Sequence, residues 1–523
     1  MKFRRDTDMT QGSIVKQLLS FALPMMLGLL FQQLYNTVDT LVVGQFVGAQ
    51  ALAAVGCNSS IINTVVGSFV GLSTGATVVI SQAYGAHDDE RLSKAVHTTM
   101  AVTLILCILA TGIGLLTARP LLKLTKPSET AAEALADAEA AQTPEALTEG
   151  APEEYSDVNA ADTASDVSAE TETFAEYDSD LADQAEAALA QDDEDDPEDI
   201  DKVFELAETY LMIFFAGVSG VLIYNMGTGI LRAVGDSTRP VYYLIISALI
   251  NTVLDLLFVA LFKWGVAGVA LATIIAQFIS AVLVMIALMR STAAYGLRLK
   301  KLRISGDVLG RIVRIGLPSA IQNAVTAFSN VFVQKYINSL GTYGMAGWTA
   351  YNKLDAFLVL PVQAIAMAST TFVGQCWGAN LKRRAREGVK QTMLLSISVT
   401  VGLALLFVAF ATPLLKIFTR DENVLEKGRY FVRVISPFYF TICFTQVYAG
   451  ALRGIGNATA PTVAMLLSFV AFRQLYLFVF SQLLHGGDLV IALAYPMGWL
   501  LCSVLLVVLY RRSALFKTDD NFT

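Results

Sequence analysis

Long apolar runs separated by short polar segments dominate this chain. Twelve runs are long enough to cross a bilayer, which takes about 20 residues. They lie near 16–42, 52–82, 95–117, 206–233, 241–262, 265–289, 310–338, 346–375, 391–411, 431–454, 462–484 and 488–510. Hydrocarbon gives backbone groups no outside partner, so each run predicts a helix. The pattern predicts an all-α polytopic membrane protein with twelve transmembrane helices. Prolines 24, 318, 361, 437 and 496 fall inside these runs and predict bends or static kinks.

The polar punctuation repeats. Gly229-Ile-Leu-Arg232-Ala-Val-Gly235-Asp-Ser-Thr-Arg-Pro240 returns as Gly450-Ala-Leu-Arg453-Gly-Ile-Gly456-Asn-Ala-Thr-Ala-Pro461, 221 positions later. Gln82-Ala-Tyr-Gly85-Ala86 returns as Gln375-Cys-Trp-Gly378-Ala379, and Ala118-Arg-Pro120 as Ala411-Thr-Pro413, both 293 positions later. The mismatch, 293 − 221 = 72, means that the first copy carries about 72 extra residues between Glu129 and Gly229. The expected organisation is therefore an N-terminal six-helix lobe (1–130 and 202–300), an insert (131–201) between helices 3 and 4, and a C-terminal six-helix lobe (301–523). Six helices per copy give both halves the same orientation. Such duplication predicts a V-shaped two-lobe transporter that binds its cargo between the lobes.

Composition agrees with a membrane body: 54% of residues are hydrophobic and the mean hydropathy is +0.55. Charge changes the picture only when the insert is set apart. Residues 127–201 hold 26 of the 45 acidic residues and no Lys or Arg, so the net charge of −8 becomes +18 without them. So acidic a stretch, rich in Ala, Ser and Thr, cannot bury a core and is expected to be largely disordered. It is either a tolerated loop extension or an anionic tether that concentrates cations. Lys and Arg gather before helix 1, between helices 6 and 7, after helix 8 and after helix 12. Basic short loops mark the cytoplasmic side, which predicts a plasma-membrane protein with both termini cytoplasmic and the insert outside. The loop between helices 9 and 10 disagrees, although its acidic residues offset most of its positive charge. No removable signal peptide is expected.

The five cysteines lie inside apolar runs without metal or disulfide spacing, and the three histidines are scattered. With no phosphate-binding glycine loop either, the sequence predicts no enzyme, no cofactor and no nucleic-acid partner, and a monomer.

A charged side chain in a spanning helix costs roughly 2.5–3.5 kcal/mol on insertion scales, so each one needs a reason. Asp39 lies on helix 1, in Tyr35-Asn36-Thr-Val-Asp39. Asn251 and Asp255 stand one turn apart on helix 5, and Thr273 lies at a similar depth on helix 6. Together these four offer two carboxylates, an amide oxygen and a hydroxyl, hard ligands for a small cation or a home for a proton. Alternatively, each Asp only caps or bridges helices. Asp355 on helix 8 and Arg473 on helix 11 both sit near mid-membrane and are expected to pair, bracing the second half, unless one of them faces the cargo path. Gln33, Asn36, Gln277, Gln322 and Asn323 are polar positions expected to face a substrate cavity.

The chain at this point resembles the multidrug and toxic compound extrusion (MATE) family over everything except the acidic insert. The likeness rests on the leading Leu-Pro of each half, on Tyr-Asn-Thr-Val-Asp39, and on Gln-x-x-Gly-Ala after helices 2 and 8. It rests also on Leu231-Arg-Ala-Val-Gly-Asp236 with its echo at 452–457, and on Asn251-x-x-x-Asp255 followed by Gly265-Val-Ala-Gly268. The resemblance implies Na+- or H+-coupled antiport of bulky, often cationic organic drugs by alternating access, with the ion held at Asp39, Asn251, Asp255 and Thr273. Another branch of the family uses acidic residues on helices 7 and 10. This chain has only Gln322, Asn323, Thr326 and Gln446 there, which places coupling in the first half. A flippase of lipid-linked oligosaccharides from the same superfamily, or a non-transporting membrane sensor or scaffold, are the rival readings.

Overall fold

A computed structural model describes residues 7–125, 197–484 and 487–517. The acidic stretch from 126 to 196, and with it nearly all of the expected insert, lies outside the described residues. Every regular element among the described residues is helical. Besides a 3-10 turn at Leu299–Lys301 and a short helix at Ala411–Leu415, the long helices in chain order are α1 (Ile14–Phe46), α2 (Ala49–Gly85), α3 (Asp89–Thr125) and α4 (Pro197–Ala233). Next come α5 (Thr238–Leu261), α6 (Gly265–Arg290), α7 (Gly306–Asn338) and α8 (Gly341–Gly378). The last four are α9 (Lys382–Ala409), α10 (Glu422–Gly454), α11 (Thr459–Leu483) and α12 (Asp488–Arg512). Among the described residues, eleven helices are long and apolar enough to cross a membrane. The run expected at 310–338 is helical within α7 but is not among the eleven. Arg311, Arg314 and Lys335, with Gln322, Asn323 and several small residues, dilute its apolar character. Pro24, Pro318, Pro361 and Pro496 are carried inside their helices, while Pro437 forms a 3-10 turn within α10.

Contacts gather the chain into one large unit, Met1–Ala118 with Leu206–Thr523, and a second unit, Arg119–Glu205. The repeated motifs acquire a physical meaning inside the large unit. Each Leu-Arg-x-x-Gly sequence ends a helix. Gly235 and Gly456 adopt left-handed φ of 84° and 93°, open to glycine without penalty. The next residue's N–H then reaches back to Leu231 at 3.0 Å or Leu452 at 2.9 Å, closing the helix end in a Schellman turn. The following Asp236 or Asn457 caps the next helix, accepting from the N–H of Arg239 at 3.1 Å or Ala460 at 3.2 Å.

The Gln-x-x-Gly motifs join the two copies by an exchange. Gln82, at the end of α2, donates to the Gly454 carbonyl at 2.8 Å, and Gln375, at the end of α8, donates to the Ala233 carbonyl at 2.9 Å. The acceptors are themselves repeat equivalents, 221 positions apart. Each glutamine therefore closes the helix end of the other copy. The backbones touch: a Cβ on Gly85 would lie 2.0 Å from the Gln375 carbonyl oxygen, and one on Gly378 would lie 1.9 Å from that of Gln82. The seam continues between α2 and α7, where a Cβ on Gly71 would fall 2.3 Å from the Ala320 nitrogen.

An N-terminal segment covers this end of the molecule. Met9, fully buried, donates its N–H to Gln375 Oε1 at 2.9 Å. Arg384 donates to the carbonyls of Met9 at 3.0 Å and Gly12 at 2.9 Å. Thr7 in turn lies against Gly235 of the first copy.

A side chain at position 378 has no room while this seam is closed. Gly378→Val is expected to raise the rate at which a water-soluble maleimide labels Ala320→Cys by about tenfold or more, the overpacking cost being about 1–3 kcal/mol. Unchanged labelling would show that the seam yields without opening.

Candidate functional site

The structure brings Asp39, Asn251, Asp255 and Thr273 together where α1, α5 and α6 meet. Asn251 stands at the centre. Its amide nitrogen, turned toward the carboxylates, donates to Asp39 Oδ1 at 2.8 Å and to Asp255 Oδ2 at 3.0 Å, and its oxygen accepts the Thr273 backbone N–H at 3.2 Å. The opposite amide orientation would face oxygen only to acceptors, so the network fixes this one. Asn251 and Asp255 are wholly buried, whereas Asp39 and Thr273 are partly so.

Local geometry aims these groups. Asn251 and Asp255 share a face of α5 by their spacing of four. One turn earlier, Ser247 donates to the Ala276 carbonyl at 2.6 Å and holds α5 against α6. Directly after Asp255, α5 widens into a π-helical segment, Leu256–Leu261, and α11 carries a similar one at Phe478–Leu483. Widened turns of this kind often mark functional positions. In the second copy, however, Phe472 and Tyr476 stand where Asn251 and Asp255 stand in the first.

Tyr35 on α1 and Tyr210 on α4 complete the surroundings, each within electrostatic reach of both carboxylates and beside Thr273. Tyr210 carries no local signal in the sequence, because the whole insert separates it from helix 1. The Tyr35 hydroxyl, the Thr273 hydroxyl and Asp255 Oδ1 are all buried without a hydrogen-bond partner. Orphaned polar atoms cost about 1–3 kcal/mol each, so three around one amide need an explanation. Two carboxylates sharing a buried amide also hold more negative charge than a low-dielectric site tolerates without a balancing cation. The unpartnered oxygens are of the hard type that a sodium ion accepts, and the carboxylates can equally carry a proton.

The second half answers differently. Among the described residues no ion pair joins Asp355 to Arg473, which corrects the expected brace. Asp355 Oδ1 accepts instead from Tyr351 at 3.3 Å and from the Tyr439 hydroxyl, the two tyrosines themselves lying 2.9 Å apart. Arg473 donates to Ser329 Oγ at 3.1 Å and Asn330 Oδ1 at 2.8 Å, and its guanidinium lies 4.8 Å from the centre of the Tyr495 ring. Each charge has neutral hydrogen-bonding partners, Asp355 on α8 itself and α10, Arg473 on α7, although Arg473 Nε has none among the described residues.

The expected cavity residues also divide. Gln322 accepts from Arg453 at 2.8 Å, and Asn323 donates to the Gly67 carbonyl at 2.9 Å. Both amides are half-buried and hydrogen-bonded within the protein. Gln33 and Gln277 are half-buried on α1 and α6, and no hydrogen bond among the described residues ties either side chain to the Asp39 cluster. The side chain of Asn36 lies outside the described residues.

A family model described as MatE matches residues 24–140, 188–257 and 318–476. The gap at 141–187 falls within the acidic stretch. "Probable multidrug resistance protein YpnP" of Bacillus subtilis is 25% identical over 518 residues, covering 99% of each chain. "Probable multidrug resistance protein NorM" of Thermotoga maritima is 26% identical over 287 residues, 54% of this chain and 61% of the other. A crystal structure of MATE in complex with MaL6 superposes with a TM-score of 0.78 at 20% identity, covering 98% of this chain and 99% of the other.

Replacing Asn251 with Leu removes the shared donor and leaves both carboxylates unpaired. Asn251→Leu is expected to lower stability by about 1–3 kcal/mol in detergent unfolding measurements. In double-mutant cycles, Asp355→Asn is expected to couple to Tyr439→Phe by about 0.5–3 kcal/mol and to Arg473→Gln by less. The reverse order would restore the direct brace.

Proposed function

The chain belongs to the MatE family, and from that membership we propose that it is a cation-coupled antiporter exporting bulky organic, often cationic, compounds. The observation that carries this reading is the Asn251-centred site: two carboxylates on one amide, with three buried oxygens left without partners. A site built only to brace helices would pair these groups, as the second half does for Asp355. An ion site must leave them open. The multidrug resistance proteins to which the chain is similar support organic drugs as the cargo.

In this reading, sodium or a proton entering from outside occupies Asp39 and Asp255 and balances their charge. Asp39 lies on α1, which packs against α5 and α6 and also against α8 of the second copy. Neutralising the site changes what holds α1 and releases the cargo outward. Each charge moving down 100 mV supplies about 2.3 kcal/mol, enough to bias the exchange. With both termini cytoplasmic, the glutamine seam lies toward the cytoplasmic side. The transporter acts as a monomer in the plasma membrane and needs no cofactor, only the coupling ion, Na+ or H+. A flippase would need cationic groups for phosphate; Arg473 already donates from one terminal nitrogen to Ser329 and Asn330, and Arg453 to Gln322, although the Nε of each has no partner among the described residues.

The test is uptake of a fluorescent organic cation into inverted vesicles under an imposed sodium or proton gradient. Uptake with the wild-type chain and its loss to the level of protein-free vesicles in both Asp39→Asn and Asp255→Asn, at equal membrane abundance, is the expected outcome. Wild-type uptake in either variant would overturn the assignment of the coupling site.

A further inference from the structure

A second site lies far from the coupling cluster, where α9 enters its apolar span. A cavity of about 490 Å³ opens there, of the size that small ligands occupy. Arg383, Arg386 and Lys390 line one end, with Glu387 as the single acidic residue of the lining among the described residues. Glu387 is turned aside, accepting from Gln391 at 2.7 Å. Met393 and Leu394 line the other end.

The register of α9 explains this split. Arg383, Lys390 and Leu394 fall on one stripe by their spacing of seven and four. The stripe continues through Val401, 39% exposed, and Leu405, 65% exposed. Leu394 itself is 54% exposed. Such a face, basic at its first turns and apolar beyond them, is exposed among the described residues. The back wall is aromatic: Tyr448 and Tyr510 stack with ring centres 4.5 Å apart, and the Arg386 guanidinium lies 4.5 Å from the centre of the Phe516 ring. Tyrosines at the end of a span favour the level of lipid headgroups.

We propose that this cavity binds the headgroup of an anionic phospholipid, its phosphate held by Arg383 and Lys390 and its acyl chains laid along the Leu394–Val401–Leu405 stripe. A soluble phosphate would satisfy the basic end and leave the apolar stripe unused. A zwitterionic lipid would satisfy the stripe but bring an ammonium to the cations. Only an anionic lipid matches both ends. The proposal is independent of the coupling reading, since it involves none of α1, α5 and α6.

The test uses the full chain in detergent, delipidated and then mixed with defined lipids, with bound lipid counted by native mass spectrometry. Phosphatidylglycerol is expected to be retained in preference to phosphatidylcholine. Arg383→Gln with Lys390→Gln is expected to weaken phosphatidylglycerol retention by about thirtyfold, each basic side chain being worth about fivefold at an anionic surface. The charge-keeping pair Arg383→Lys and Lys390→Arg should restore most of it, and Lys300→Gln with Lys301→Gln, basic residues elsewhere, should leave it unchanged. Both altered positions are exposed, so folding is not at stake. Equal retention of the two lipids, or full retention by the glutamine pair, would overturn the proposal. Displacement of the lipid by equimolar glycerol phosphate would overturn it too, by assigning the site to a soluble phosphate.

Discussion

Polar groups withdrawn from water must find partners inside the protein, and this one constraint orders the whole molecule. It forces the backbone into helices. It sends Gln82 and Gln375 across the seam to carbonyls at helix ends, where no water or further turn would serve. It surrounds Asp355 with tyrosines and Arg473 with Ser329 and Asn330. The unpartnered oxygens around Asn251 stand out because three of them cluster at one amide. Other buried polar atoms among the described residues, Asn58 Oδ1 and Arg473 Nε among them, also lack partners, but those around Asn251 gather at two carboxylates.

The duplicated architecture separates scaffold from chemistry. The Schellman turns at Gly235 and Gly456, the caps at Asp236 and Asn457, and the glutamine exchange are the same in both copies. So are the widened turns near the ends of α5 and α11. The coupling candidates are not: Phe472 and Tyr476 occupy the second copy's positions, and the carboxylate of that half, Asp355, lies on a different helix with Oδ1 hydrogen-bonded by two tyrosines. Both copies share these turns and seams, whereas the candidate cation site belongs to the first.

Much of this was legible in the sequence, for a geometric reason. Counting residues from a helix end fixes depth at 1.5 Å per residue, and depth was enough to group Asp39, Asn251, Asp255 and Thr273. Depth says nothing about rotation about the helix axis. Asp355 and Arg473 share a level yet face different partners, and Gln322 and Asn323 turn toward Arg453 and Gly67. Tyr210 was hidden by the length of chain between it and helix 1. The repeated Gln-x-x-Gly sequence was visible as a mark, but not as an exchange: a donor whose acceptor lies 372 positions away, as for Gln82, leaves no local trace.

The exchange has a consequence for origin. Donor and acceptor are equivalent in the two copies, so the seam is self-complementary: a half that offers Gln82 also offers the Ala233 carbonyl. Such an interface is the isologous kind that builds twofold dimers from identical subunits. Two separate copies of a single ancestral half could have formed the same contact before any fusion joined them. The present chain then preserves, inside one polypeptide, the contact surface of a former homodimer.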